Sequence, residues 1–85
     1  MSERYTLYHF PSCPYCARVR DFLDDEGIEI DMRNIHADPQ AFHDLRTGGG
    51  RTTVPCLRIQ RDGKVEWMYE SLDIIDYLRR KLVDV

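Results

Sequence analysis

A mixed α/β fold, with a four-stranded sheet flanked by three helices, is what the sequence predicts. Three observations carry that expectation. The apolar spacing switches repeatedly between strand and helix periods along the chain. A helical segment separates the first two strands, which allows a parallel, right-handed crossover. An Asp-Gly pair joins the last two strands, which must therefore be antiparallel.

The elements follow in order. Residues 4–10, Arg-Tyr-Thr-Leu-Tyr-His-Phe, are aromatic-rich and stop at Pro11, as a strand would. From Pro14 to Glu26, Cys16, Val19, Phe22 and Leu23 share one helical face. Arg18, Asp21, Asp24 and Asp25 lie mostly off it, and Gly27 stops the helix. Ile28 to Met32 alternates apolar and polar, as a short half-buried strand does. Asp38 caps and Pro39 opens a second helix, expected to run to about Arg46 before the loop at Gly48-Gly49-Gly50. Thr53–Ile59 and Lys64–Tyr69 read as a hairpin turning at 60–63. Ser71 is expected to cap a last helix with an apolar stripe of Ile74, Ile75, Leu78 and Leu82.

The 85 residues predict a single domain, 1–85, with a small but sufficient core. Apolar content of 42% with 32% charged residues is globular composition and argues against wholesale disorder. No apolar run is long enough for a membrane-spanning helix, and the N-terminus has no signal-like apolar stretch. A cytoplasmic location and no membrane partner are therefore expected. The net charge of −3, with signs interspersed, lacks the basic stripe of a nucleic-acid binder. Nothing demands more than a monomer.

The chemistry points to Cys13-Pro14-Tyr15-Cys16. Cys13 falls at the junction of the first strand and the first helix, and Cys16 lies one turn inside. Unpaired N–H groups and the helix dipole favour a thiolate there, and only the thiolate attacks a disulfide. Cys16, toward the core side, suits the resolution of a mixed disulfide. Two other readings stand beside this one. The pair is half of a zinc knuckle, which needs further ligands such as Cys56 or His9, or it is two inert core thiols. His9, His36 and His43 show no metal-ligand spacing, so no metal is expected.

With Cys13-Pro14-Tyr15-Cys16 and a second segment, Gly50-Arg51-Thr52-Thr53-Val54-Pro55, the chain resembles the glutaredoxins of the thioredoxin-fold superfamily. The resemblance spans essentially the whole chain and implies a glutaredoxin-like thioredoxin fold. An X–Pro bond is ordinarily trans, but the resemblance implies a cis Val54–Pro55 bond beside the cysteines. It implies that the Val54 backbone pairs with the cysteinyl part of glutathione, as an added strand would. The implied activity is glutathione-dependent thiol–disulfide exchange on protein disulfides or glutathionylated clients, with glutathione as co-substrate and no tightly bound cofactor.

Two departures qualify the resemblance. Glu70-Ser71 stands where glutaredoxins commonly carry Gly-Gly, and looks more like the N-terminal domain of glutathione S-transferases. There the pair holds the γ-glutamyl group: Ser71 would meet the carboxylate, and Glu70 or Asp73 the ammonium. Otherwise Ser71 is simply a helix cap. Phe10 stands where many glutaredoxins have a lysine, so Arg51, or more weakly Arg18, must meet the glycine carboxylate of glutathione. Tyr15 would bond or pack on the peptide. Cys56 reads as a core thiol, with a regulatory role as the alternative. The competing functions are a stand-alone glutathione-binding, transferase-like domain, an iron–sulfur cluster carrier, and a thioredoxin. The chain ends at Val85 without a transferase helical domain, and cluster-binding members usually have Gly or Ser in place of Pro14.

Overall fold

The computed structural model describes residues 3–84. Strands β1 (Arg4–His9), β2 (Asp31–Asn34), β3 (Cys56–Arg61) and β4 (Lys64–Tyr69) form one sheet in the order β2-β1-β3-β4. β1 and β2 are parallel, and the other two pairings are antiparallel. Helices α1 (Pro14–Glu26) and α3 (Ser71–Leu78) cover one face, and α2 (Pro39–Asp44) covers part of the other. Side chains alternate along each strand, so neighbouring residues serve different cores. Leu7 and Leu57 pack with Val19, Phe22, Ile74 and Leu78, whereas Tyr8 and Cys56 pack with Ile35, Ala41 and Leu45. The expected α/β class, mixed sheet and three helices are all present.

Helix α1 begins and ends as the sequence dictates. Pro14 occupies the first turn, and Gly27 sits in the left-handed region at φ 67°. The Gly27 and Ile28 N–H groups then bond back to the Asp24 and Leu23 carbonyls at 3.2 and 2.9 Å. This closure shifts β2. The strand expected over 28–32 pairs only from Asp31, opposite Thr6, and runs to Asn34. Ile28 and Ile30 reach the core from the connecting loop instead, so their alternation reflects packing before the ladder begins.

Asp38 caps α2 through bonds from the Gln40 and Ala41 N–H groups at 3.1 and 3.3 Å. Arg33 on β2 then ties this helix to the sheet edge, reaching Asp38 at 3.2 Å and Asp44 at 2.8 Å. Past Asp44 the chain does not open into the expected glycine loop. Leu45–Gly49 forms a single π-helical turn. The glycines there serve close approach: a Cβ on Gly48 would run into the Trp67 ring, and one on Gly49 into the Tyr69 hydroxyl. Gly48→Ala should therefore cost about 1–3 kcal/mol by overpacking, read as a lower urea midpoint at unchanged slope. An unchanged midpoint would mean that Trp67 can move aside freely.

The hairpin turns tightly on Asp62 and Gly63, both at positive φ (49° and 76°), as a two-residue loop between twisted strands requires. The ladder of β3 starts at Cys56 rather than at Thr53. Thr53-Val54-Pro55 lies outside it, where a proline lacking an N–H belongs.

One half-buried network joins Glu3, before β1, to Tyr77 on α3. Glu3 accepts from the Tyr5 and Tyr77 hydroxyls and from Arg61 at 2.7 Å. The Tyr5 hydrogen bond is the largest influence holding its carboxyl below the usual glutamate value. Burial opposes that shift, and the Tyr77 and Arg61 bonds reinforce it. A carboxyl depressed in the folded state contributes stability above its unfolded pKa of about 4.3, and loses it as pH falls through the folded value. Glu3→Gln should consequently flatten the fall of the urea midpoint below about pH 4.3. If wild type and variant lose stability in parallel, the network carries no acid-sensitive stabilisation.

Candidate active site

The loop leaving β1 and the first turn of α1 build the reactive corner. The Cys13 N–H bonds the Phe10 carbonyl at 3.2 Å, and the Cys13 carbonyl accepts from Ala17 at 3.0 Å. Cys13 is thereby the N-cap, with extended dihedrals of φ −81° and ψ 118°. Its sulfur accepts the Cys16 N–H at 3.3 Å, taking up one of the helix's unpaired donors. Those donors and the positive end of the helix dipole point toward that sulfur.

Cys16 lies one turn deeper and has no solvent exposure. Burial, reinforced by its contact with Cys13, pushes its thiol up to about 12. All three cysteines are unpaired thiols. Cys56 is also fully buried, and burial pushes its thiol up to about 12. That environment is the one expected of a core thiol. Among the described residues, no group of three or more His, Cys, Asp or Glu side chains is arranged to hold a metal ion.

Facing Cys13 is the segment before β3. The Val54–Pro55 bond is cis, and the Cys13 thiol reaches the Val54 carbonyl at 3.9 Å. A cleft of about 510 Å³ opens beside this contact, between the N-termini of α1 and α3 and the 51–55 segment. Tyr15, Arg51, Thr53, Val54, Pro55, Glu70 and Ser71 all line it, as do Arg18 and Asp73. The glutathione-contact residues singled out in the sequence thus meet around one cleft; Cys13 and Cys16 are not among its lining residues, and Cys13 adjoins it through the Val54 carbonyl.

Its charged groups are held by different partners. At the start of α3, Glu70 is the N-cap residue at φ 75°, a region costly for a side chain other than glycine, and its side chain caps nothing. Ser71, expected as the cap, is instead the first helical residue. Its buried hydroxyl accepts from Arg18 at 3.4 Å, and Arg18 in turn lies over the Tyr15 ring. Arg51, also in the lining, lies over the Tyr69 ring, 4.2 Å from its centroid. Phe10, at the position of the missing lysine, packs on His36 with ring centroids 4.2 Å apart and against the Tyr8–Leu45 core. That side chain belongs to packing and leaves Arg51 and Arg18 as the cleft's cations.

Tyr69 and Leu72 also line the cleft, and sequence reasoning missed both. Tyr69 carries no signal of its own beyond ending a strand. Leu72, 64% exposed, breaks the apolar pattern of α3 and was the available hint.

Comparison with known proteins gives a consistent family. The glutaredoxin family model matches residues 5–65. A glutaredoxin of Neisseria meningitidis is 37% identical over 58 residues, covering 67% of this chain and 68% of its own. Among solved structures, a glutaredoxin of Brucella melitensis superposes at TM-score 0.57 with 23% identity, over 93% of this chain and 80% of that one. Maleylacetoacetate isomerase of Anaeromyxobacter dehalogenans, solved with glutathione bound, superposes at TM-score 0.71 with 23% identity. The match covers 94% of this chain and 38% of the isomerase, and it speaks for the thioredoxin-like fold alone. Among the described residues, no helix is long and apolar enough to cross a membrane. With its strand order, its two cysteines at 13 and 16 and the match over 5–65, the chain belongs to the glutaredoxin family of thiol–disulfide oxidoreductases.

Proposed function

We propose that this glutaredoxin reduces glutathione mixed disulfides and protein disulfides, using glutathione as co-substrate. The observation that carries the reading is the Cys13 sulfur, held at the N-terminus of α1 by the Cys16 N–H and in contact with the Val54 carbonyl beside the cleft. In the first half-reaction the Cys13 thiolate attacks the glutathionyl sulfur. The client leaves as a thiolate and takes a proton, and Cys13 holds glutathione as a mixed disulfide. A second glutathione thiolate attacks that sulfur, releasing oxidised glutathione and restoring Cys13. With a protein disulfide, the Cys13 thiolate attacks one client sulfur, the other client sulfur leaves as a thiolate, and Cys13 holds the client as a mixed disulfide. Cys16 loses its proton and attacks Cys13 Sγ, which breaks the Cys13–client bond and releases the second client sulfur as a thiolate that takes up a proton. The Cys13–Cys16 disulfide so formed is reduced by two glutathiones.

The cleft residues have assigned parts in this reading. The Val54 backbone, beside Thr53 and Pro55, pairs with the cysteinyl portion. Ser71, at the helix N-terminus and bonded to Arg18, receives the γ-glutamyl carboxylate, with Glu70 on the ammonium. Arg51 meets the glycine carboxylate, and Tyr15 packs on the peptide. One chain supplies every group, so a monomer suffices. Glutaredoxin couples lie near about −200 to −230 mV, close to balance with a reducing cytoplasmic glutathione pool.

A second reading, glutathione transfer to electrophiles, is favoured by Glu70 and Ser71 in the cleft. The test is reduction of a glutathionylated peptide with glutathione, glutathione reductase and NADPH. Turnover that requires glutathione supports oxidoreduction. Failure there, with turnover of a chlorinated aromatic electrophile instead, would overturn it in favour of transfer.

A further inference from the structure

Tyr69 ends β4 at the rim of the cleft, and the chemistry above makes no use of it. Its hydroxyl donates to the Arg51 carbonyl at 3.0 Å, and the Arg51 guanidinium lies 4.2 Å from its ring centroid. Tyr69 therefore holds one residue twice, by its backbone and by its charge. The space for that hydroxyl exists because residue 49 is glycine, where a Cβ would overlap it. Among the described residues Arg51 has no carboxylate partner, although its charge lies against an open cleft.

An exposed arginine loses rotamer freedom when a ligand fixes it, and that loss weakens binding. Resting on an aromatic face restrains the side chain before the ligand arrives. The planar fork of N–H groups then stays at the cleft, ready for a carboxylate. Arg18, held by Ser71 and Tyr15, is positioned by different groups, so the two arginines can be tested separately.

We infer that Tyr69 is a positioning residue that holds Arg51 toward the C-terminal carboxylate of the glutathionyl group, and so sets a preference for thiols carrying a free carboxylate at that end. The inference deepens the proposed function and rests on its assignment of Arg51.

The experiment uses the full chain as wild type, Tyr69→Phe, Tyr69→Leu and Arg51→Met. Each is assayed on two peptide mixed disulfides, one with glutathione and one with glutathione esterified at its glycine carboxylate. With the free acid, KM should rise about threefold in Tyr69→Phe, which keeps the ring. It should rise about five- to tenfold in Tyr69→Leu and Arg51→Met. The loss should fall on KM rather than kcat. With the ester, whose wild-type KM is already higher, the variants should differ from wild type by less than about twofold.

Tyr69 variants that raise KM equally for acid and ester would show a structural role and overturn the inference. So would Tyr69 variants that leave both values unchanged while Arg51→Met discriminates. If Arg51→Met fails to discriminate, the inference falls together with the assignment of Arg51. Glutathione-dependent turnover of the wild type would still stand as the separate measure of the proposed function.

Discussion

Cys13→Ser is expected to lower glutathione-dependent turnover by at least about a thousandfold, as loss of a covalent nucleophile does. A serine hydroxyl at the same N-cap still accepts the Cys16 N–H, so the helix start survives while the attacking thiolate is lost. Cys16→Ser should behave differently. The glutathione mixed disulfide on Cys13 can be resolved by a second glutathione, so reduction of a glutathionylated peptide should retain activity within about tenfold of wild type. Reduction of an intramolecular protein disulfide, which needs Cys16, should fall far more. Initial rates of NADPH oxidation on the two substrates separate these cases. If Cys16→Ser abolishes both and Cys13→Ser neither, the roles of the two cysteines are exchanged. Cys13 is itself buried but keeps 6% exposure where Cys16 has none, which argues against that exchange.

Ile74→Ala is the substitution expected to cost most in stability. Ile74 has no solvent exposure and fastens α3 onto Leu7, Leu57, Val19 and Phe22. Truncating it removes transfer free energy and leaves a cavity, about 2–5 kcal/mol together. A chain of this size has only about 4–13 kcal/mol in all. At about 4–8 °C per kcal/mol, Tm should drop by at least about 8 °C, and toward the upper limit the variant approaches unfolding at 25 °C. The consequence for the site is specific. Ser71 and Glu70 stand at the start of the helix that Ile74 anchors, so weaker anchoring should raise KM for glutathionylated substrate below Tm. A melting curve that shifts by less than about 3 °C would show that the core collapses around the gap.

The fold was readable where backbone chemistry is local. Pro14, Gly27, Asp38-Pro39 and Asp62-Gly63 each act through their own dihedrals or caps, and each sits where its chemistry placed it. Misplacements arose where tertiary packing decided. Ile28 and Ile30 alternate like a strand because they face a core, yet hydrogen bonding starts only at Asp31. Gly48 and Gly49 look like helix breakers, but the aromatic rings on β4 are what exclude a Cβ there. No local rule could have foreseen that, since Trp67 and Tyr69 are distant in sequence.

The site divides in the same way. Cys13 and Cys16 were legible because a strand–helix junction and a three-residue spacing define a cap and its first turn. Arg51, Glu70 and Ser71 were singled out through family resemblance, and they do line one cleft. The position of Ser71 differed from expectation because Glu70, at positive φ, takes the cap and leaves the serine hydroxyl to Arg18. Tyr69 escaped notice because its importance lies in what stacks on it, not in its neighbours along the chain.

The central claim is that Cys13 is the sulfur that accepts glutathione. The Cys16→Ser variant, incubated with oxidised glutathione, would form a mixed disulfide that no internal thiol at position 16 can resolve. Peptide mass mapping under non-reducing conditions should then find one glutathionyl group, on Cys13, with Cys56 unmodified in its fully buried site. An adduct on Cys56, or none at all while the protein remains folded, would contradict the account.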